Sequence, residues 1–136
     1  MAEAVVRGAG CAQVQGVETR LLRAGAAGPD DLLWADALVL GTPENFGYMS
    51  GAVKDFLDRT YYPCEGKVES LPYAVFISAG NDGSGALSSI QRIARGYPLR
   101  AVQEPIIARG DTTDAILEAC EALGMAMAAG LEMGVF

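Results

Sequence analysis

Two stretches of this chain gather residue types that could do chemistry. "GTPENFGYMSG" (residues 41–51) crowds Thr42, Pro43, Glu44, Asn45, Phe46, Gly47 and Tyr48 into one connection, where a structural loop needs only one or two turn residues. Pro43 stiffens the strand exit, Gly47 permits a positive φ or a close approach, and the N–H groups between them can point at a ligand. Phe46 and Tyr48 offer flat apolar contact to an aromatic ring. The second stretch, "SAGNDGSG" (residues 78–85), sets Gly80, Gly83 and Gly85 around Asn81 and Asp82. Glycine at this density serves close backbone approach, although turn flexibility alone also produces it. The chain has no histidine, which excludes Ser-His and Cys-His machinery and any His-ligated metal site. The chemistry therefore falls to a cofactor.

Each stretch follows an apolar run that reads as a buried strand. "ALVLG" (residues 37–41) and "YAVFISAG" (residues 73–80) lack alternation, as strands covered on both faces do. "VETRLLRA" (residues 17–24) alternates apolar and polar residues before Gly25 and fits a strand near a sheet edge. "VQEPIIARG" (residues 102–110) reads as a further strand, with Pro105 marking a bulge or an edge position. Helical spacing appears in "MAEAVVRGA", in "PDDLLWAD" opened by Pro29, and in "SGAVKDFLDRTYY" capped by Ser50 and stopped near Pro63. Two more helices follow, "GALSSIQRIARGY" and "TTDAILEACEALGMAMAAGL", the latter capped by Thr112 or Thr113. Strict alternation of helices and buried strands predicts an α/β fold with a doubly wound parallel sheet, filling one domain over residues 1–136. In such sheets a ligand sits outside the carboxyl ends of the strands, where both glycine-bearing stretches fall.

Composition narrows the partners. A formal net charge of -7, from 10 basic and 17 acidic residues, argues against nucleic acid, which needs a basic footprint. Asp111, Asp114, Glu118, Glu121 and Glu132 all follow the last basic residue, Arg109, and read as a solvated helix face. Cys11, Cys64 and Cys120 are odd in number and widely spaced, which points to free thiols in a reducing, cytoplasmic setting. The Met- and Ala-rich stretch after Ala115 is interrupted by glutamates and reads as a packed helix rather than a membrane span.

"VLGTPENFGYMSGAVKDFLDRT", followed by a hydrophobic strand running into "SAGNDGSGA", resembles the flavodoxin-like flavoproteins. Among them it is similar to the NADPH-dependent FMN reductases and to the NAD(P)H:quinone oxidoreductases of the tryptophan-repressor-binding-protein type. The resemblance covers essentially the whole chain. It implies a flavodoxin-like three-layer α/β/α fold with a five-stranded sheet in the order 2-1-3-4-5 and FMN across its carboxyl edge. It also implies that Thr42, Pro43, Glu44, Asn45, Phe46, Gly47 and Tyr48 cradle the isoalloxazine and ribityl chain. Ser78, Ala79, Gly80, Asn81, Asp82 and Gly83 would close over the other side of the ring. No side-chain acid or base is then needed, because the flavin itself accepts a hydride from NAD(P)H and the protein orients the rings.

In that family a strand and a Ser/Thr- and Gly-rich loop that wraps the FMN phosphate lead into a helix like "MAEAVV". Neither the strand nor the loop stands in these residues. The expectation is a start assigned at an internal methionine, the native protein beginning about 20–30 residues upstream, roughly a strand plus a short loop. The alternative is a truncated, degenerate domain. FMN affinity of the chain as written is expected to be weakened or lost.

The leading functional expectation is an FMN-dependent NAD(P)H oxidoreductase that reduces flavin or quinone acceptors, as a homo-oligomer with no nucleic-acid or membrane partner. Two others stay open: a flavodoxin-type electron carrier, and a cofactor-free interaction module on the same fold. A phospho-receiver domain is disfavoured, since the strand at Ala37 ends in Gly-Thr-Pro rather than in an aspartate.

Overall fold

A computed structural model describes all of residues 1–136. The chain forms two compact units, Leu22–Gly110 on one hand and Met1–Leu21 with Asp111–Phe136 on the other. Helices and a central, mostly parallel sheet make it a mixed α/β protein.

The unit Leu22–Gly110 carries the sheet. Its elements are α2 (Pro29–Trp34), β1 (Leu38–Asn45), β2 (Tyr48–Met49), α3 (Gly51–Cys64), β3 (Pro72–Ala79), α4 (Ser84–Gly96), β4 (Arg100–Ala101) and β5 (Ile106–Arg109). β1 and β3 run parallel from Leu38 opposite Tyr73 to Pro43 opposite Ser78. β3 is flanked on its other edge by β4 and then β5, both parallel to it, so the three successive strand regions lie side by side in the expected order. The expected strand over residues 102–110 is shorter, β5 beginning only after Pro105, which has no N–H to give a ladder; β5 pairs with β3 alone and so takes the expected edge position. The register places Leu40, Val75, Ile77 and Ala79 on one sheet face, where they pack with Val53, Phe56 and Leu57 of α3 and Ala86, Ile90 and Ala94 of α4. This is one apolar core, and every residue just named in it is buried.

Three sequence expectations are corrected. Residues 17–24 form no strand: alternation alone does not make one, and these residues find no neighbouring ladder to join. Residues 41–51 are not an open loop; β1 continues to Asn45 and turns back through a two-residue connection into β2, antiparallel to it. α3 does not stop before Pro63 but carries it in its last turn, ending at Cys64, so the missing proline N–H costs a single helix bond at the very end. Arg59 of α3 fastens the segment before α2, its guanidinium donating to the carbonyls of Ala24 and Ala27 at 3.1 Å each.

The second unit pairs α1 (Ala2–Ala9) with α5 (Asp114–Glu132), whose cap is Thr113. Glycine makes the pairing close. A Cβ on Gly8 would lie 1.8 Å from the Glu121 carbonyl oxygen, and one on Gly124 would lie 1.9 Å from that of Val5. The small residues of α5 thus find their neighbour in α1, with the Arg7–Glu121 ion pair at 3.5 Å beside the contact. No helix of the chain is long and apolar enough to cross a membrane.

Candidate functional site

Because β1, β3 and β5 are parallel, the segments that leave them emerge along one edge of the sheet. At that edge stand the β1–β2 hairpin, the loop 80–83 that leads into α4, and Arg109 at the end of β5.

The hairpin turns through Phe46 (φ 51°) and Gly47 (φ 68°). Positive φ at both central positions is what a type I′ connection requires, and Asn-Gly is its favoured pair. Phenylalanine in the left-handed region costs roughly 1–2 kcal/mol, and its ring recovers nothing by packing, since Phe46 is 108% exposed. Tyr48 beside it is 43% exposed. The N–H groups of Phe46 and Gly47 make no hydrogen bond within the chain. Thr42 and Pro43 brace the hairpin base. The buried Thr42 hydroxyl accepts from the Ser50 N–H at 2.9 Å and donates to the Pro43 carbonyl, so it faces the start of α3.

Three anchors hold the loop 80–83. The Asp82 carboxylate accepts from the Ser84 N–H at 2.9 Å and from the Ser84 hydroxyl at 2.8 Å, closing the turn into α4. These two bonds, with the Arg109 guanidinium nearby, hold the Asp82 carboxyl below the usual carboxylate range. Arg109 Nε donates to the Asp82 carbonyl at 3.2 Å. Gly83 takes φ 76° and is packed so tightly that a Cβ there would lie 2.5 Å from Ile107 Cγ2. Gly80 and Asn81 are left exposed.

Glu44 joins the two pieces. Its carboxylate accepts from the Gly83 N–H at 3.3 Å and from the Ala86 N–H at 3.0 Å. A second tie runs from the Met49 N–H to Ser89 Oγ at 3.2 Å, and Ser89 Oγ donates in turn to the Ala86 carbonyl at 2.8 Å. The structure therefore brings together the two stretches that the sequence singled out. Thr42, Ala79 and Gly83 are buried beneath the surface, whereas Asn45, Phe46, Gly47, Tyr48, Ser78, Gly80, Asn81 and Asp82 are exposed on it. Sequence reasoning missed Ser89 and Arg109. Arg109 had one legible signal, a cation at the carboxyl end of a strand, and Ser89 had none.

Residues 26–103, more than half of the chain, match the family model of the NADPH-dependent FMN reductases. The chain belongs to the NADPH-dependent FMN reductase family. The matched segment of this FMN reductase family member contains both stretches, from the hairpin through the loop 80–83. The chain is 36% identical over 85 residues to a flavodoxin of Aquifex aeolicus, covering 62% of this chain and 45% of that protein. It is 40% identical over 60 residues to an NAD(P)H dehydrogenase (quinone) of Acidithiobacillus ferrooxidans, covering 43% of this chain and 30% of that one. The chain thus spans less than half the length of these curated relatives. In fold it is similar to an archaeal flavodoxin, with a TM-score of 0.79 and 22% identity over 95% of this chain and 86% of that one. A WrbA-like flavodoxin from Agrobacterium tumefaciens gives a TM-score of 0.74 and 21% identity over 97% of this chain and 87% of that one. The family points to a flavin cofactor.

The site fits the ring end of FMN. Exposed aromatic faces at Phe46 and Tyr48 and unengaged N–H groups at the hairpin tip, with Gly80 and Asn81 exposed at the same sheet edge, suit a flat heteroaromatic. At the start of α4, the N–H groups of Gly83, Ser84 and Ala86 are already taken by Glu44 and Asp82.

Proposed function

We propose that this chain forms the ring-binding part of an FMN-dependent NAD(P)H oxidoreductase that reduces flavin or quinone acceptors. The observation that carries the reading is the hairpin–loop clamp, with a strained and fully exposed Phe46 at its tip. Bound FMN would supply the redox chemistry, accepting electrons from NAD(P)H and passing them to the acceptor. The chain's own residues would hold and orient. Asn45, Phe46, Gly47 and Tyr48 would lie along one side of the ring and Ser78, Gly80 and Asn81 along the other. Thr42, Pro43, Ala79, Asp82 and Gly83 would fix the shapes of the two segments. NAD(P)H and the acceptor would use the same open face in turn.

The phosphate would be held more weakly than the ring by these residues. Free cysteines support a reducing cytoplasmic setting, with Cys64 and Cys120 buried. A homo-oligomer of small-molecule redox type, with no nucleic-acid or membrane partner, completes the reading. One observation favours a second reading, a flavodoxin-type electron carrier: the net charge of -7, which suits docking to a basic redox partner.

The test is thermal melting of the chain with and without FMN, followed by NADPH consumption with benzoquinone as acceptor. A rise in melting temperature with FMN and flavin-dependent NADPH oxidation support the reductase. A melting temperature that ignores FMN supports the cofactor-free module instead. Flavin uptake without NADPH oxidation leaves the carrier.

A further inference from the structure

Glu44 sits in the middle of the segment that would face a ligand, and its carboxylate is nonetheless turned inward. Both oxygens are occupied by backbone donors of the facing segment, the Gly83 N–H at 3.3 Å and the Ala86 N–H at 3.0 Å. The side chain is half-buried. Those donors are the N-cap residue Gly83 and Ala86 in the first turn of α4, where the early N–H groups have no partner inside the helix. A carboxylate is a good stand-in there, because its charge also complements the positive end of the helix. The contact spans 39 and 42 residues of sequence, so it is a tertiary tie rather than a local cap.

Around it the two segments touch without slack. Gly85 lies against the Gly47 carbonyl, and Met49 is tied to Ser89. Of these ties, Glu44 alone reaches the donors on both sides of Gly85, and it is the one that spans from the strand end to the glycine loop. Without it, Gly83 and Ala86 each lose their acceptor.

We propose that Glu44 is the positioning residue of the site: its carboxylate sets the spacing between the hairpin and the loop 80–83, so that both walls stand in place before a ligand arrives. The proposal rests on the flavin reading of the site. It assigns Glu44 to the protein's own backbone rather than to contact with a ring or a nicotinamide.

The experiment compares the full chain with Glu44→Gln and Glu44→Ala, using amide hydrogen exchange and quenching of riboflavin fluorescence. Riboflavin carries the ring without the phosphate. In Glu44→Ala the Gly83 and Ala86 amides should exchange at least tenfold faster, while Ile90 in the middle of α4 stays protected. Riboflavin affinity should fall about tenfold, the size expected when charge-assisted hydrogen bonds that fix a site are lost. Glu44→Gln keeps the shape but has one accepting oxygen. It should free one of the two amides and lose about threefold in affinity, and it serves also if Glu44→Ala does not fold. Unchanged exchange at both amides overturns the proposal, as does faster exchange with riboflavin affinity untouched. A wild-type chain that takes up no riboflavin overturns the flavin reading and this role with it, and is told apart by the wild-type titration alone.

Discussion

Gly85, in the first turn of α4, lies against Gly47 at the hairpin tip so closely that a Cβ on Gly85 would stand 1.9 Å from the Gly47 carbonyl oxygen. Both atoms in conflict would be fixed to backbone, so neither can swing aside. The hairpin and the start of α4 are therefore one packed body at this point, and it is here that the two ligand-facing segments meet.

Substituting Gly85→Ala should force the hairpin away from α4. Overpacking of this kind costs roughly 1–3 kcal/mol, and the Glu44 bonds to Gly83 and Ala86 should stretch with it. Urea denaturation should show the loss as a lower midpoint with an unchanged slope. A midpoint equal to that of the wild type would mean that the contact is looser than described.

Tyr97 anchors the far end of the same layer. Its hydroxyl donates to the Leu57 carbonyl and lies 2.7 Å from Thr60 Oγ1, which itself reaches the Phe56 carbonyl at 2.8 Å. Tyr97 and Thr60 are 3% and 0% exposed, so no water replaces a lost partner. Tyr97→Phe should lower stability by about 1–2 kcal/mol, read by urea denaturation, with riboflavin affinity unchanged. A loss of ring affinity would show that the network reaches the site.

Asp82 gives a pH dependence whose sign is fixed. Its carboxyl is held below the usual range in the folded chain by the Ser84 N–H and hydroxyl, and by Arg109. A depressed folded pKa contributes stability above the unfolded value, about 3.9, and that contribution is lost as pH falls through the folded pKa. Wild type should therefore melt above Asp82→Ala at neutral pH, and the gap should narrow only below about pH 4. A gap that stays constant down to pH 3 would contradict the ionic role given to Asp82.

Much of this was legible in the residues themselves. The largely apolar run at residues 73–80 told of a strand covered on both faces, which is β3 (Pro72–Ala79), and Pro105 told that the last strand lies at an edge. The hairpin was not legible. Phe46-Gly47 is not the pair that marks a type I′ turn, so residues 41–51 read as a loop although β1 runs on to Asn45. Residues 17–24 misled in the opposite direction. Alternation reports which side of a strand would be buried, and says nothing of whether a neighbouring strand is there to pair. Glu44 could be chosen as a site residue from its position between Pro43 and Asn45. Its inward turn could not, because the donors that turn it lie about forty residues on, at Gly83 and Ala86.

The most direct measurement is a paired titration of the chain with FMN and with riboflavin, followed by quenching of flavin fluorescence. If the hairpin and the loop 80–83 grip the ring, both flavins should saturate, with affinities within about tenfold of each other. Three phosphate contacts of the charge-assisted kind would separate them by more than about a thousandfold in favour of FMN. Such a separation, or the absence of saturable quenching by either flavin, would contradict a site built around the ring.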